Sequence, residues 1–241
     1  MSNLKVIAID DYQNKVITEK TVSLFLNGNE SMVNDAGQQN FTGLKNGVHH
    51  LNTESDIFSR QDLELDYTEE AEDGSGVVYI RLQPTIRYPL DREVQVLWGH
   101  TKPGQELHFV FINSKERYSL ANDYELGEKE ISIQCFGKAF FEGTLWVLQK
   151  PDGGMEEFWI EKSIEGKNFP RKNPYFSLRY PLRNSYEKGR CLLRRVYPVV
   201  ADEDGHFFLP VPKEEKNSTE YRYYMPLDKS KIKTGALCST A

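Results

Sequence analysis

The sequence predicts an all-β protein built from two β-sandwich units. Its apolar residues alternate with polar ones or come in short runs, and Gly, Asn, Asp or Pro interrupts them about every 8–12 residues. No stretch shows the apolar periodicity of an amphipathic helix. A chain of 241 residues is long enough for one large unit or two modest ones.

The first unit is expected at residues 1–66, where short alternating stretches are separated by polar turns. One turn is Asn46-Gly47, a strong hairpin signal because both residues tolerate positive φ. In the stretch 21–26 the apolar residues Val22, Leu24 and Leu26 fall on one face of an extended chain. The expected strands cover residues 4–9, 21–26, 39–44, 48–51 and 56–65.

A linker is expected at residues 67–76, because this stretch is acidic, carries Gly and Ser, and lacks apolar periodicity. The larger β-sandwich unit then covers residues 77–212, and a carboxy-terminal arm and tail covers 213–241. The end of the tail is expected to be frayed. The expected strands of the larger unit cover residues 77–82, 93–99, 106–112, 130–137, 143–149, 156–163, 191–200 and 205–211.

Composition is that of an ordinary globular protein, with 39% hydrophobic and 27% charged residues. No apolar run reaches the roughly 18 residues of a membrane span, so no membrane insertion is expected. The amino terminus lacks the pattern of a signal peptide, which favours a cytoplasmic protein. A net charge of −6 disfavours nucleic acid as the main partner.

Charge is nevertheless distributed unevenly. Residues 54–73 carry nine acids and one base, whereas residues 162–195 carry ten bases and two acids. These stretches are either solvated surface or a complementary docking pair, within the chain or between copies of it. If copies assemble head to tail into a ring, the basic interface residues would be Arg190, Arg194 and Arg195.

A second candidate interface lies in the arm, where residues 221–227 form a short apolar and aromatic strand candidate. A strand of this length needs a sheet edge to pair with. Tyr221 and Tyr223 would then lie on one face and Tyr224 on the other. The edge belongs either to the chain's own larger unit or to another subunit, and the sequence leaves both open.

The word Arg-Tyr-Pro-Leu occurs twice, at residues 87–90 and 179–182. Each copy precedes an expected strand, where proline sets an extended entry and the Tyr and Leu side chains are free to pack. The flanks share little. The two copies are therefore interpreted as similar strand entries and not as a duplication.

In the first unit, a strand ends at an acidic turn, an alternating strand follows, and Asp-x-Gly, Phe and Gly-Leu precede a further strand. The residues of this pattern are Ala8, Ile9, Asp10, Val22, Leu24, Asp35, Gly37, Phe41, Leu44, Gly47 and Leu51. In this pattern the unit resembles a transthyretin-like (prealbumin) module of the carboxypeptidase-regulatory-like kind. The resemblance implies a prealbumin-like β-sandwich for the first unit.

A narrower pattern follows the linker and consists of Leu82, Pro84, Tyr88, Pro89, Leu90 and Gly99. It is similar to the opening of carboxypeptidase-regulatory-like domains in cap (tail-terminator) proteins of extracellular contractile injection systems, which are related to phage tails. The usual amino-terminal domain of those caps is replaced here by the first β-module.

This second resemblance implies a non-enzymatic structural or assembly component of a phage-tail-like particle, in its cap or an adaptor layer. The partners would be other tail, sheath and tube proteins, and the chain would form a homo-oligomeric ring. The particle would assemble in the cytoplasm and be released from it. The alternative is a cell-surface or secreted β-sandwich binding module for glycan or protein.

No catalytic residue, metal site or cofactor is expected. The five histidines lack zinc-protease spacing, and His49 and His50 are neighbours on a strand, so their rings point to opposite faces. The cysteines lack both disulfide and zinc patterns. The acidic residues 202–204 are interpreted as a plain turn, because a calcium loop needs more widely spaced ligands.

The aromatic residues offer one further alternative. A carbohydrate platform would need several of them exposed on one face, whereas in β-sandwiches such residues usually belong to the core. The core interpretation is favoured for Trp98, Trp146 and Trp159.

Overall fold

We describe the protein from a computed structural model, which covers residues 3–18, 20–34, 38–67, 75–112, 118–134, 141–164, 173–226 and 228–237. The chain divides into two units, Met1–Arg92 and Glu93–Ala241. Both consist of β-strands, as predicted. Within the residues described, no helix is long and apolar enough to cross a membrane.

The first unit contains β1 to β9. The strands that the structure describes in this unit are β1 (Asn3–Asp10), β2 (Lys15–Val16), β3 (Ser23–Leu26), β4 (Asn29–Glu30), β5 (Met32–Val33), β6 (Gln38–Thr42), β7 (Gly47–Glu54), β8 (Asp62–Tyr67) and β9 (Ser75–Leu82).

Two sheets make up this unit. In the first sheet, β1 pairs antiparallel with β2 and β6, and parallel with β9, and β5 pairs with β6. The second sheet has the order β4-β3-β7-β8. The expected alternation holds, since Val22, Leu24 and Leu26 are all buried. The strand expected from residue 56 begins only at Asp62 in the structure.

The division between the units differs from the expected one. Strand β9, expected to open the larger unit, pairs with β1 along its whole length, from Asn3–Ser75 to Asp10–Leu82. The first unit therefore continues to Arg92. The reason is non-local, because the parallel partner of β1 comes from beyond the expected linker. Most of that linker, 68–74, and the motif residues Asp35 and Gly37 lie outside the described residues.

A buried polar cluster closes one end of β1. The Asp10 carboxylate accepts the Tyr88 hydroxyl and the backbone N–H groups of Tyr12 and Gln13, the latter two at 2.9 and 3.0 Å. Burial raises the pKa of Asp10, and the hydrogen bond from Tyr88 partly offsets this. The aspartates expected only to stop a strand therefore anchor the last segment of the unit.

The second unit contains β10 to β20 and one short 3-10 helix, Lys213–Glu215. The strands that the structure describes here are β10 (Val96–His100), β11 (Glu106–Ile112), β12 (Ser119–Leu120), β13 (Glu130–Gln134), β14 (Thr144–Gln149), β15 (Met155–Ser163), β16 (Tyr175–Leu178), β17 (Leu192–Val200), β18 (His206–Pro210), β19 (Glu220–Met225) and β20 (Asp228–Ala236).

Nine of these strands form one sheet, in the order β12-β13-β16-β15-β14-β17-β11-β19-β20. A bridge between Tyr118 and Leu193 brings the start of β12 back to β17, so six strands enclose a core. Trp146, Phe158 and Phe176 belong to this core. The remaining strands, β10 and β18, pair with each other, and Phe207 packs on a second core that contains Phe109.

The carboxy-terminal arm belongs to this unit. Strand β19 pairs with β11 of the same chain. Of the two partners that the sequence left open, the arm therefore uses the edge of its own larger unit. The tail expected to be frayed forms β20, which pairs with β19. The polar segment before β19 is also fixed, because Glu214 forms an ion pair with the buried Arg195, and Glu215 accepts the Ser218 hydroxyl at 2.9 Å.

The two Arg-Tyr-Pro-Leu words have different environments. In the first, Tyr88 is 7% exposed and Leu90 is half-buried. In the second, the pattern is reversed, with Tyr180 68% exposed and Leu182 1% exposed. The words are thus not structural repeats, which agrees with the interpretation from their flanks.

A buried ion pair in the first unit leads to a stability prediction. Arg81 Nη1 lies 3.0 Å from Asp11 Oδ1, and both side chains are 7% exposed. Replacing Asp11→Ala leaves a buried guanidinium without this carboxylate and should cost about 3–5 kcal/mol. Hydrogen exchange of the β1 amides in the full chain measures this loss of stability, because destabilised amides lose protection.

The matched control is Asp62→Ala, which removes an exposed ion pair with Arg60 in the same unit. It should change stability by only about 0–1 kcal/mol. The double variant Asp11→Leu with Arg81→Met should lose less than Asp11→Ala alone. Equal losses for Asp11→Ala and Asp62→Ala would contradict the importance of the buried pair.

Candidate binding site

The nine-stranded sheet folds over on itself about β17. The first half of β17 pairs with β14, and the second half pairs with β11. Four inter-strand steps separate β15 from β19, which in a flat sheet is roughly 19 Å. Yet the Tyr224 hydroxyl on β19 lies 2.9 Å from Glu157 Oε1 on β15. The face that carries both residues is therefore concave.

A polar group, here called the Glu157 bridge, crosses this concave face and consists of His108, Glu157 and Tyr224. Glu157 Oε1 lies 2.5 Å from His108 Nδ1 and accepts the Tyr224 hydroxyl. The other imidazole nitrogen, Nε2, lies 2.9 Å from Glu106 Oε1. All three residues of the bridge come from different strands, β11, β15 and β19.

Opposing effects act on the pKa of His108. Burial lowers it, but hydrogen bonds and charge from Glu106 and Glu157 raise it, and the net shift is upward. Burial and the neighbouring Glu157 also raise the pKa of Tyr224. The bridge thus places an imidazole between two carboxyl groups and a phenol on one of them, which satisfies the buried polar atoms.

On one side of the bridge lies a cavity of about 610 Å³, here called the larger lobe. Trp159 and Tyr180 contribute aromatic rings, and the guanidinium of Arg179 lies 5.1 Å from the centre of the Trp159 ring. Glu106, whose side chain is 46% exposed, supplies a carboxylate. The lining residues are Glu106, His108, Leu145, Glu157, Phe158, Trp159, Tyr180, Pro181, Arg183 and Pro226.

On the other side lies a cavity of about 220 Å³, here called the smaller lobe. The two cavities share strands β11 and β15. On these strands Val110 and Met155 line the smaller lobe, whereas His108 and Glu157 line the larger lobe. Tyr224 forms part of the wall of the smaller lobe. The Glu157 bridge therefore separates two cavities of different size and chemistry.

The structure separates the three arginines expected at an interface. Arg190 is exposed and forms an ion pair with Glu187 at 2.9 Å. Arg194 is half-buried and lines the smaller lobe. Arg195 is 6% exposed, pairs with Glu214, and stacks on Tyr197 at 4.5 Å. They do not form one basic surface, because alternate residues of β17 point to opposite faces.

The three tyrosines of β19 lie on the faces expected of them. Tyr221 and Tyr223 pack against the core that contains Phe109, and Tyr223 stacks on that ring with centroids 5.3 Å apart. Tyr224 lies on the opposite face, in the Glu157 bridge. All three side chains thus make contacts inside their own unit.

This site was not predicted from the sequence. Glu106 and His108 share a strand face by simple alternation, and this local signal was visible. Glu157 lies 49 positions away from His108 in the chain. Trp159 and Tyr180 were expected in the core or at a strand entry, not at the wall of a cavity.

The histidines, acidic turn and cysteine that were interpreted as structural from the sequence lie in ordinary structural environments where the structure describes them. His49 is buried and His50 exposed, so their rings do point to opposite faces. The Asp202 side chain accepts the backbone N–H groups of Asp204 and His206, as in a plain acidic turn. Cys191 is a free half-buried thiol, and Cys135 and Cys238 lie outside the described residues.

Two further observations concern metal ligands and tryptophans. In the described parts of the chain, no group of three or more His, Cys, Asp or Glu side chains is placed to hold a metal ion. Trp146 is in the core, as expected, and Trp159 is half-buried. The core expectation is wrong for Trp98, which is 78% exposed on β10 because its neighbours Leu97 and Gly99 occupy the inner face.

Comparisons with known proteins show no family membership. No protein-family model matches the sequence, and no curated protein matches it significantly. Among solved structures, a DUF3823 family protein from Bacteroides ovatus is 12% identical, with a TM-score of 0.28, covering 100% of this chain and 93% of that one. The Bacillus anthracis TIE protein is 9% identical, with a TM-score of 0.26, covering 98% and 48%. Both are β-rich.

The Glu157 bridge leads to a pH prediction. The pKa of His108 is raised on folding, so its stabilising contribution is complete below the pKa of the unfolded chain, about 6.5. It is lost as pH rises through the higher pKa of the folded chain. The difference in unfolding free energy between wild type and His108→Gln, measured by urea unfolding, should therefore shrink as pH rises above about 6.5.

The control is His100→Gln, because His100 is exposed on β10 and its ring packs edge-on against another histidine, His206. Its difference from wild type should stay nearly constant across the same pH range. A His108→Gln difference that is equally constant would show that the imidazole does not carry the charge of the bridge.

Proposed function

We propose that this chain is a non-enzymatic binding protein, and that the larger lobe is its site for a neutral glycan. The observation that carries the proposal is the convergence of an exposed aromatic ring with fixed carboxylates in one cavity of about 610 Å³. A volume of this size lies within the range of small-molecule sites.

The chemistry of the lining matches a sugar. A pyranose ring has an apolar face that stacks on an aromatic side chain, and Tyr180 offers a ring that is 68% exposed. Its hydroxyl groups need charged or polar acceptors and donors, which Glu106 and Arg183 supply at the rim. Both of these side chains are partly or largely exposed, so they can exchange water for ligand.

The site is also rigid, which favours binding. Glu157 is held by two donors, and Trp159 is held on one side by Arg179. Leu182 is buried directly after the segment that carries Tyr180 and fixes it to the unit. Because these groups are ordered before a ligand arrives, little entropy is lost on binding.

Calorimetric titration of the full chain with neutral oligosaccharides of glucose, mannose and xylose tests this proposal. At least one series should bind, and Tyr180→Ala should weaken binding by about tenfold through loss of stacking. Tyr180→Trp should retain it. The matched control is Trp98→Ala, which removes an exposed aromatic ring outside the lobe.

Three outcomes would overturn the proposal. They are an absence of binding to every oligosaccharide, equal affinity of Tyr180→Ala and wild type, and an equal loss in Trp98→Ala.

We infer a second candidate function from the sequence resemblance, that of an assembly component in a contractile injection particle, in its cap or an adaptor layer. Its partners would be copies of this chain in a ring and the tail, sheath and tube proteins. The support is the motif from Leu82 to Gly99. The structure assigns most of that motif to the last segment of the first unit, and only Gly99 lies in the second unit.

Sedimentation of particles from cells that produce the tagged chain tests this second function. The chain should sediment with sheath and tube proteins, and Arg190→Glu should lower its recovery, most clearly at low salt. Arg190 is the suitable position because it is exposed, whereas Arg195 is needed inside the unit. Recovery of the chain only in the light fraction would overturn the assignment.

A further inference from the structure

The smaller lobe has features that the Glu157 bridge does not explain. Its cavity of about 220 Å³ lies among β11, β14, β15, β17, β19 and β20. Val110, Val147 and Tyr224 in its wall are almost fully buried. Most of the lining is apolar, yet two arginines, Arg194 and Arg222, also face the cavity.

Arg194 places its guanidinium in this largely apolar environment. Its Nη1 donates to the backbone oxygen of Phe111 at 3.3 Å. Burial lowers the pKa of Arg194, Glu215 raises it, and the positive charge of Arg222 lowers it further. Within the described ranges, no carboxylate forms an ion pair with Arg194 or Arg222. Two like charges therefore face one cavity, and among the described residues Glu215 is the carboxylate whose charge acts on Arg194.

An anionic ligand would relieve this repulsion and accept hydrogen bonds. A planar guanidinium matches a carboxylate, because two parallel N–H groups donate to its two oxygens. The apolar wall would exclude water from an aliphatic chain. The cavity holds the liquid volume of about seven waters, so the ligand is small, with about four to six carbons.

We propose that the smaller lobe binds a short-chain aliphatic carboxylate. Its carboxylate group lies between Arg194 and Arg222, and its chain lies against Val110, Val147 and Met155. This site is additional to the glycan site of the proposed function, because neither arginine lines the larger lobe.

Calorimetric titration of the full chain with sodium pentanoate tests the proposal, with 1-pentanol as the neutral comparison. Pentanoate should bind at least about tenfold more tightly than pentanol, since a hydrogen bond to a charged group is stronger than one between neutral groups. Arg194→Gln and Arg222→Gln should each weaken pentanoate binding by about tenfold or more.

Arg222 is an exposed residue, so its replacement keeps the test valid if Arg194→Gln fails to fold. The matched control is Arg190→Gln, because this arginine is exposed and paired with Glu187 away from the cavity. Its affinity for pentanoate should equal that of wild type.

Equal binding of pentanol and pentanoate would show a purely apolar cavity and would overturn the proposal. The same holds if Arg222→Gln binds pentanoate like wild type, if Arg190→Gln weakens binding as much, or if pentanoate does not bind at all. None of these results depends on whether the larger lobe binds an oligosaccharide.

Discussion

The shape of the second unit depends on one nearly buried carboxylate. A charged group taken out of water is strongly disfavoured unless donors replace its hydration. Glu157 has an 11% exposed side chain, and its Oε1 is approached by His108 and Tyr224 from two other strands. Both donors reach it only if β11 and β19 fold over β15. The concave face is therefore tied to hydrogen bonding, and the two lobes follow from the concave face.

The carboxy-terminal segment completes this arrangement from the opposite face of the sheet. Arg195 and Tyr197 on β17 hold Glu214, and this contact fixes the chain just before β19. Strand β19 can then pair in register with β11 and deliver Tyr224 to the bridge. Arg195 thus contacts the segment that leads into β19, while its neighbour Arg194 lines the smaller lobe. A basic stretch that looks uniform in the sequence serves different structural purposes residue by residue.

The sequence predicted features that depend on local pattern. It did not predict features that depend on pairing between distant parts of the chain. Strands such as β11, β14 and β17 were predictable because short apolar runs bounded by polar or turn residues are read from consecutive positions. Strand β20 was missed because its sequence is polar, and backbone hydrogen bonds to β19 are enough to place it. The unit boundary and the Glu157 bridge were missed because both depend on partners far apart in the chain. No local signal encodes which strand will lie beside which.

Polar groups, and not apolar side chains, join the facing strands in the middle of this concave face. Apolar residues there would give similar or greater stability, since buried ion pairs gain little over well-packed hydrophobic residues. Apolar contacts, however, are not directional and would allow the facing strands to slide or close. Hydrogen bonds to a single carboxylate fix both the separation and the register of β11, β15 and β19.

The cavities on either side of the bridge consequently keep distinct sizes and different charged residues in their walls. Glu106 and Glu157 line the larger lobe together with Arg183, whereas the charged residues of the smaller lobe are Arg194 and Arg222. If both proposals hold, a neutral ligand would occupy the larger lobe and an anion the smaller one, and the Glu157 bridge would lie between two sites of different charge preference.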